Sequence, residues 1–285
     1  MDISEKRDGF IGFTFNGHHS SEYNIVRVSD SSRYNENLTP AFSDKTTQVT
    51  GRDGLYYFGS DYTQAQINIS FAFDSVTEEN LLALHKWFNV KTLEPLYLDE
   101  DCTFSDTGAI TDGKYYLAKV SAQPNIKYLC FDNGDGERVY KGEGSVSFVA
   151  FYPFKLRDKT TTYFGTNDTA PMSNDGQQET DWIIEIPFSS MGKIAAGSIY
   201  LNTDDNINVL TLNELTKEGS DTSIVINSKT NTIEGRTSTG ALGSIYNKYI
   251  DSGHFFKIPV STTKLYCTVG TGVSNRSLIY KEIYY

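Results

Sequence analysis

Residues 65–89, AQINISFAFDSVTEENLLALHKWFN, join the pattern of a strand to the pattern of a helix. Apolar side chains occupy every second position from Ile67 to Phe73. Because successive side chains of a strand point to opposite faces, this period of two predicts a strand with one buried face. Residues 145–150 repeat the alternation and predict a second strand of the same kind.

The helix pattern covers about residues 77–89. One face of this helix carries Leu81, Leu84, His85 and Phe88. Ser75 and Glu78 have the spacing of a capping box, which predicts the start of the helix. We expect His85 to be a core residue with one satisfied nitrogen, since an isolated histidine rarely binds a metal.

Further strand patterns indicate a mainly β protein. In the first half they cover Phe13–Phe15 and residues 23–28, 54–58, 114–121 and 126–131. Pro124 and Asn125 predict a hairpin turn between the last two. The second half has short segments at the spacing of a β-sandwich. They are Trp182 to Phe188, Ser198 to Leu201, Ile207 to Leu212, Thr222 to Ile226, Phe255 to Val260, Lys264 to Val269 and Leu278 to Tyr285.

A polar segment at residues 155–180, rich in Thr, Asn, Asp and Gly, has the composition of a linker. The chain of 285 residues is long enough for two domains. We therefore predict an N-terminal domain at residues 1–155 and a C-terminal domain at residues 156–285.

The charge is acidic and unevenly spread, with a net of −11. Residues 1–154 hold 22 acidic and 13 basic residues, a net of −9, and residues 155–285 hold 14 and 12, a net of −2. Affinity for nucleic acids depends on Lys and Arg that neutralise phosphates. Sequence-specific binding of DNA or RNA is therefore not expected.

Cysteine usage and hydropathy exclude other classes of protein. Cys102, Cys130 and Cys267 are far apart and odd in number, which predicts free thiols rather than a disulfide framework or a zinc site. No stretch approaches the roughly 18 apolar residues of a membrane span. The first residues, MDISEKRDGF, lack the apolar core of a signal peptide. We expect a soluble protein made in a cytoplasm, with no membrane partner.

Two motifs resemble metal sites. His18 and His19 follow Gly17 and are expected in an exposed turn, because zinc would need a third ligand that the sequence does not identify. Residues 132–137, DNGDGE, resemble part of a calcium loop. Strand patterns flank them instead of helices, so a tight hairpin turn is favoured.

Two runs of carboxylates, Asp99-Glu100-Asp101 and Asp204-Asp205, are the nearest approach to a glycosidase pair. Neighbours on a strand point to opposite faces, and solvated turns favour Asp, so we expect turns here. There is no G-x-S-x-G elbow and no glycine-rich phosphate loop. The sequence predicts no catalytic, cofactor-binding or metal-binding residue, and no enzyme.

Aromatic residues of the second half have two interpretations. They are Trp182, Tyr246, Tyr249, His254 and Phe256. Either they fill the core, where aromatic rings bury most area, or some of them line a face that stacks on sugars. The core interpretation is favoured.

Four segments in the first half together resemble one family. They are residues 12–17 (GFTFNG) with 20–28, residues 51–59 (GRDGLYYFG), residues 67–88, and residues 140–148 (YKGEGSVSF) with 152–154 (YPF). In this order they resemble the distal tail protein (Dit) of siphovirus-type bacteriophages, a phage tail-component family. In the second half, residues 223–228 and 253–259 are similar to strands of its second domain, whereas residues 261–263 (STT) replace an expected Pro-Gly-Asn-like turn.

The resemblance implies a structural virion protein at the distal tip of a long tail. Its N-terminal domain, a β-sandwich or barrel-like fold with one helix, forms a homo-hexameric ring. Its C-terminal domain is a peripheral, galectin-like β-sandwich. The ring joins the tail tube protein to the tail-associated hub protein of the baseplate, and receptor-binding proteins attach to it. The alternative function is a carbohydrate-binding module that recognises host surface glycans during adsorption.

Ring formation and DNA passage give two further expectations. Residues 67–73 and 145–151 offer strand edges for pairing between subunits, since a closed ring removes exposed edges. Part of the N-terminal acidity is expected to line the channel, where six negative walls repel DNA and let it pass without binding.

Overall fold

The computed structural model describes residues 12–28, 41–106, 108–132, 134, 136–158, 162–165, 168–201, 208–262, 264–271 and 273–285. The chain divides into two compact units. Unit 1 comprises residues 1–157 with Tyr285, and unit 2 comprises residues 158–284. Strands dominate both units, so the prediction of a mainly β fold is confirmed. No helix among the described residues is long and apolar enough to cross a membrane.

The strands of unit 1 are β1 (Phe13–Phe15), β2 (His18–His19), β3 (Ile25–Arg27), β4 (Phe42–Thr47), β5 (Tyr56–Tyr62), β6 (Ala65–Thr77), β7 (Glu94–Phe104), β8 (Ile110–Val120), β9 (Asn125–Asp132) and β10 (Arg138–Ala150), with β11 (Lys155–Asp158) at its end. A 3-10 helix covers Ser20–Tyr23, and helix α1 covers Glu78–Phe88.

Unit 1 has two antiparallel layers that share a core. One layer has the order β2-β1-β7-β8, and the other has the order β3-β6-β10-β9. The layers join where the end of β8 pairs with β10, at Val120 and Phe148. Side chains of both layers, such as Phe13, Phe71 and Leu96, are buried together. This arrangement matches the predicted sandwich or barrel-like domain.

Helix α1 closes this core, but its capping residue and its buried face differ from the prediction. Thr77 is the N-cap, because its hydroxyl accepts the backbone N–H of Asn80, whereas Ser75 still belongs to β6. Trp87 is buried and donates from Nε1 to the carbonyl of Phe15 at 2.8 Å. His85 is exposed, so its expected place in the core is wrong. The buried face of the helix includes Trp87 in place of His85.

The predicted hairpin turn at residues 124–125 is also wrong. Strands β8 and β9 both run antiparallel to β10, and they follow each other along it. Val120 lies opposite Phe148, and Asn125 lies opposite Ser145. The intervening residues therefore carry the chain onward instead of reversing it.

The strands of unit 2 are β12 (Thr162–Tyr163), β13 (Thr169–Pro171), β14 (Trp182–Pro187), β15 (Lys193–Ile194), β16 (Gly197–Tyr200), β17 (Val209–Leu212), β18 (Leu215–Thr216), β19 (Asp221–Asn227), β20 (Thr232–Thr237), β21 (Leu242–Ile245), β22 (Ile250–Gly253), β23 (Lys264–Cys267) and β24 (Ser277–Tyr284).

Unit 2 is a sandwich of two antiparallel sheets. One sheet has the order β12-β24-β14-β19-β20-β21, and the other has the order β13-β23-β16-β17-β22. Ile184 and Ile226 of the first sheet are buried with Leu210 and Leu265 of the second. Stacked sheets of this kind bury alternate side chains of each strand, which is the pattern that the sequence shows.

The structure differs from the sequence-based expectations for residues 155–285 in three respects. Residues 255–260 form no strand but only an isolated bridge, from Ile258 to Thr180. Strands β20, β21 and β22 were not predicted, because their sequences are polar and rich in glycine. The described part of residues 155–180 contains β11, β12 and β13, so it is not a plain linker. Residues 159–161, 166, 167 and 207 lie outside the described part of the chain.

Candidate functional site

His18 and His19 lie in β2, and their rings have different surroundings. His18 is exposed, with Nδ1 2.9 Å from Oε2 of Glu22. His19 is buried, and its Nε2 lies 3.2 Å from both carboxylate oxygens of Asp99. The side chains of His19 and Asp99 are only 11% and 12% exposed. The expected exposed turn is therefore wrong for His19, which anchors β2 to β7.

Ser21, His19 and Asp99 follow one another in the hydroxyl, imidazole, carboxylate order of some hydrolases. Ser21 Oγ lies 2.6 Å from Nδ1 of His19. The same Nδ1 accepts the backbone N–H of Ser21 at 3.1 Å, and Oε1 of Glu22 accepts the backbone N–H of His19. These bonds form a capping box on the 3-10 helix. The arrangement therefore has a complete structural explanation.

The carboxylates of residues 99–101 lie in β7 and not in a turn. Each contacts a different side chain from another strand, and the partner of Asp99 is His19. Glu100 Oε1 is 2.5 Å from Nη1 of Arg27, and Asp101 Oδ2 is 3.0 Å from Nζ of Lys155. Since the three carboxylates are engaged separately, they do not form a pair that faces a substrate.

The segment that begins at Asp132 is a hairpin turn between β9 and β10, as predicted. Asp132 Oδ1 accepts the backbone N–H of Gly134 at 2.9 Å, and Asp132 lies opposite Arg138 in the register. Gly134 and Gly136 have φ of 90° and 82°, which favours glycine at both positions. Among the described residues, no three His, Cys, Asp or Glu side chains cluster as a metal site would require. Four residues of the carboxylate motifs lie outside the described part: Asn133, Asp135, Asp204 and Asp205.

The three cysteines are free thiols with different exposure. Cys130 is exposed on β9, Cys102 is partly buried on β7, and Cys267 is buried on β23. Burial raises the pKa of the Cys267 thiol to about 12. Because the thiolate is the reactive form, Cys267 is chemically inert in the folded protein.

We expect iodoacetamide at pH 8 to label Cys130 in the native protein and to leave Cys267 unlabelled. Peptide mass spectrometry gives the extent at each position, and the same reaction in guanidinium chloride serves as the control, in which all three thiols react. Equal native labelling of Cys130 and Cys267 would show that β23 is not buried as the structure has it.

Most of the aromatic residues proposed for a sugar-stacking face lie in the core of unit 2. Trp182 and Tyr246 are fully buried, and Phe256 is nearly so. Tyr249 packs against the same core, and His254 is exposed. Trp182 donates from Nε1 to the carbonyl of Phe256 at 2.8 Å. Trp182, Tyr246 and Phe256 are therefore unavailable to a sugar, and the core interpretation is correct for them.

An uncovered apolar surface of unit 1 lies on a hairpin that we call detached. Strands β4 and β5 pair only with each other among the described residues, and every residue of β4 is exposed. Phe42, Tyr57 and Phe58 are 63%, 64% and 68% exposed. Tyr62, at the base, contacts Phe154 with ring centroids 5.1 Å apart. The sequence of residues 54–58 predicts a strand, but it does not predict that both faces of this strand are exposed.

A second uncovered surface follows β9, the edge strand of its layer. Tyr128, Leu129 and Phe131 are exposed large side chains on it. Beside them, a groove of 1070 Å³ lies between β3, β6, β9 and β10. A row of exposed apolar side chains on a strand edge is a surface that proteins normally cover.

A smaller groove of 740 Å³ lies between the C-terminal end of α1 and the segment that joins β8 to β9. Leu84, Phe88 and Ile126 contribute apolar surface, and His85, Lys91 and Lys119 contribute basic groups. No Asp or Glu is among the described residues that line it. We call it the basic groove.

Part of unit 1 is similar to a known family of proteins. Residues 10–134 match the family model described as the phage tail protein N-terminal domain. The predicted resemblance to phage tail proteins is confirmed. The match covers β1 to β9, helix α1 and the detached hairpin, and it ends before β10. Among curated proteins, none matches the chain in sequence.

A solved structure from a phage shows the same fold over nearly the whole chain. The Dit protein of phage SPP1, described as a paradigm of the hub adsorption apparatus in phages that infect Gram-positive bacteria, has a TM-score of 0.59 and 12% identity. The match covers 96% of this chain and 99% of that one. A chain of the phage P2 baseplate, in its activated conformation with calcium, has a TM-score of 0.48 and 11% identity, over 95% and 98% of the two chains.

Proposed function

We propose that this protein is the structural hub at the distal tip of a long, non-contractile phage tail. Six copies form a ring that joins the tail tube protein to the tail-associated hub protein and leaves a channel for DNA. Unit 1 forms the ring, and unit 2 lies at its periphery. The observation that carries the proposal is the detached hairpin of β4 and β5, within a domain that matches phage tail proteins.

The hairpin is a physical argument for assembly. A two-stranded hairpin alone is marginally stable in water, and this one exposes aromatic side chains that a monomer gains nothing by displaying. Phe42, Tyr57 and Phe58 are the residue types that dominate protein interfaces. Covering them by another subunit would stabilise both the hairpin and the ring.

Strand edges give a second argument, and one of the predicted edges is corrected. Residues 145–151 are not an open edge, since β10 pairs with β6 on one side and with β9 and β8 on the other. Open edges of this layer include β9 and the stretch of β6 from Ala65 to Ile69, each of which pairs on one side only. Pairing β9 of one copy with a neighbour's edge would extend the layer around a ring.

The charges on the outer face of the β3-β6-β10-β9 layer are relevant to the proposed channel wall. It carries Asp74, Lys127, Lys141 and Glu143, two charges of each sign. Lys141 Nζ is 3.3 Å from Oδ2 of Asp74, and Glu143 lies opposite Lys127 in the register. If this layer lines the channel, each of these lysines has a carboxylate beside it, which weakens its attraction for phosphates. We therefore propose a wall whose charges are internally paired, in place of the purely acidic wall expected from composition.

The protein acts by binding and not by catalysis in this proposal. Its partners are the tube and hub proteins, with receptor-binding proteins as further attachments and no cofactor. The alternative, a carbohydrate-binding module in unit 2, loses its main support because Trp182, Tyr246 and Phe256 are buried. A glycan array with the full-length chain would revive it by showing binding to a host surface polymer.

Native mass spectrometry and negative-stain electron microscopy of the purified chain test the ring. We expect a species of six chains at micromolar concentration, with an open centre and peripheral lobes. A chain that stays monomeric at that concentration, alone and with its tube protein, would overturn the proposed function.

A further inference from the structure

The basic groove is unusual in an acidic unit, and its lysines lack the carboxylate partners that Lys141 and Lys155 have. Lys141 faces Asp74, and Lys155 faces Asp101. Lys91 and Lys119 have no carboxylate within ion-pair distance among the described residues; Lys119 Nζ instead lies 5.2 Å from the ring centre of Phe151. Unit 1 thus leaves two basic groups beside a cavity with an apolar floor.

The N-terminal end of helix α1 is acidic, whereas the basic groove lies at its C-terminal end. Glu78 and Glu79 occupy the first turn of α1, and both are exposed or nearly so. Leu82, one turn further along, is 57% exposed. A helix of eleven residues is about 16 Å long at 1.5 Å per residue, so its acidic start and the basic groove are well separated. One chain cannot bring its own two surfaces together.

We propose that the acidic start of α1 in one copy docks into the basic groove of the next copy. Glu78 and Glu79 pair with Lys91 and Lys119, and Leu82 covers the apolar floor near Phe88. Two different, complementary patches on one chain make a head-to-tail contact, which closes into a ring when the rotation allows. The proposal rests on the ring of the proposed function and names one contact that orders its subunits.

The acidic start of α1 and the basic groove have opposite charge, which is why we propose a second copy of the chain as the partner that binds the groove. Charges at the two ends of a helix also suit its dipole, but the dipole does not explain Lys119, which comes from β8. Since exposed charge pairs contribute mainly to specificity and to the rate of encounter, the contact would fix orientation while apolar surfaces supply most of the affinity.

Charge reversal tests this pairing. The variant K91E/K119E is expected to raise the concentration needed for ring formation at least about tenfold, as is E78K/E79K, because like charges then oppose each other. The combined four-residue variant is expected to restore assembly to within about threefold of the wild type. K229E/K257E changes two exposed lysines of unit 2 to glutamate and is the control for net charge. Circular dichroism checks that each variant is folded.

The outcomes separate this inference from the proposed function. A wild type that forms no ring overturns both. A wild-type ring that K91E/K119E leaves equally stable overturns the docking contact and leaves the ring standing. Loss of the ring in K91E/K119E without rescue in the combined variant shows that another surface fills the groove, which also overturns the contact.

Discussion

Replacing Trp182 by alanine is expected to destabilise unit 2 by about 3–5 kcal/mol, the usual cost of removing a large buried aromatic side chain. Trp182 is fully buried, and its ring lies against Phe256, with centroids 5.3 Å apart. The change removes this packing and the hydrogen bond from Nε1 to the Phe256 carbonyl, which leaves that buried oxygen without its donor.

The two tryptophans make the experiment selective, because each unit contains one. In W182A the remaining Trp87 reports on unit 1. We expect far-ultraviolet circular dichroism to show an early thermal transition that the fluorescence of Trp87 does not follow. W182F keeps most of the packing and loses only the donor, so we expect a cost of roughly 1–3 kcal/mol. A fully stable W182A would contradict the burial of this ring and reopen its availability to sugars.

The spacing of apolar residues predicts those strands and helices whose buried face is determined by their own sequence. The alternation from Ile67 to Phe73 and in residues 145–150 corresponds to β6 and β10, the central pair of the second layer of unit 1. The helix was placed within one residue of its observed ends. Its buried face was harder to predict, because Trp87 and His85 both lie next to the apolar stripe. The hydrogen bond to Phe15, 72 residues away, draws Trp87 inward.

Contacts between distant segments account for what the sequence did not show. Residues 99–101 have the composition of a turn, yet Arg27 and Lys155 pair with two of these carboxylates and hold them in β7. Strands β8 and β9 flank residues typical of a turn, yet they do not pair with each other as a hairpin. Both pair with β10, because that strand is long enough to pair with each in succession. No local pattern encodes these partners, since they depend on which strands become neighbours.

The assembly surfaces were the least predictable feature. The sequence of residues 54–58 favours a strand, but a single sequence does not tell whether its apolar side chains face a core or a partner. The absence of alternation in Leu55, Tyr56, Tyr57 and Phe58 is the one available signal, since a half-buried strand would alternate. The structure resolves this ambiguity, because the hairpin lies apart from both layers of unit 1.

Replacing Phe42, Tyr57 and Phe58 together by serine is expected to abolish the ring while leaving the fold intact. All three side chains are more than 60% exposed in the single chain, so their removal costs the monomer little. At an interface, aromatic anchors are each worth about 2 kcal/mol or more. Even with partial additivity, the loss weakens each subunit contact by at least about 100-fold.

Native mass spectrometry across a concentration series measures the change, and thermal unfolding confirms that the variant is folded. The control is Y163S/M191S, which removes from unit 2 two apolar side chains that are at least 60% exposed. If exposed apolar surface promoted association in general, the control would lose oligomers as well. A ring that survives the triple substitution but not the control would move the subunit interface from unit 1 to unit 2. The argument depends on position, because exposed apolar side chains are removed from a detached hairpin in one case and from a self-sufficient sandwich in the other.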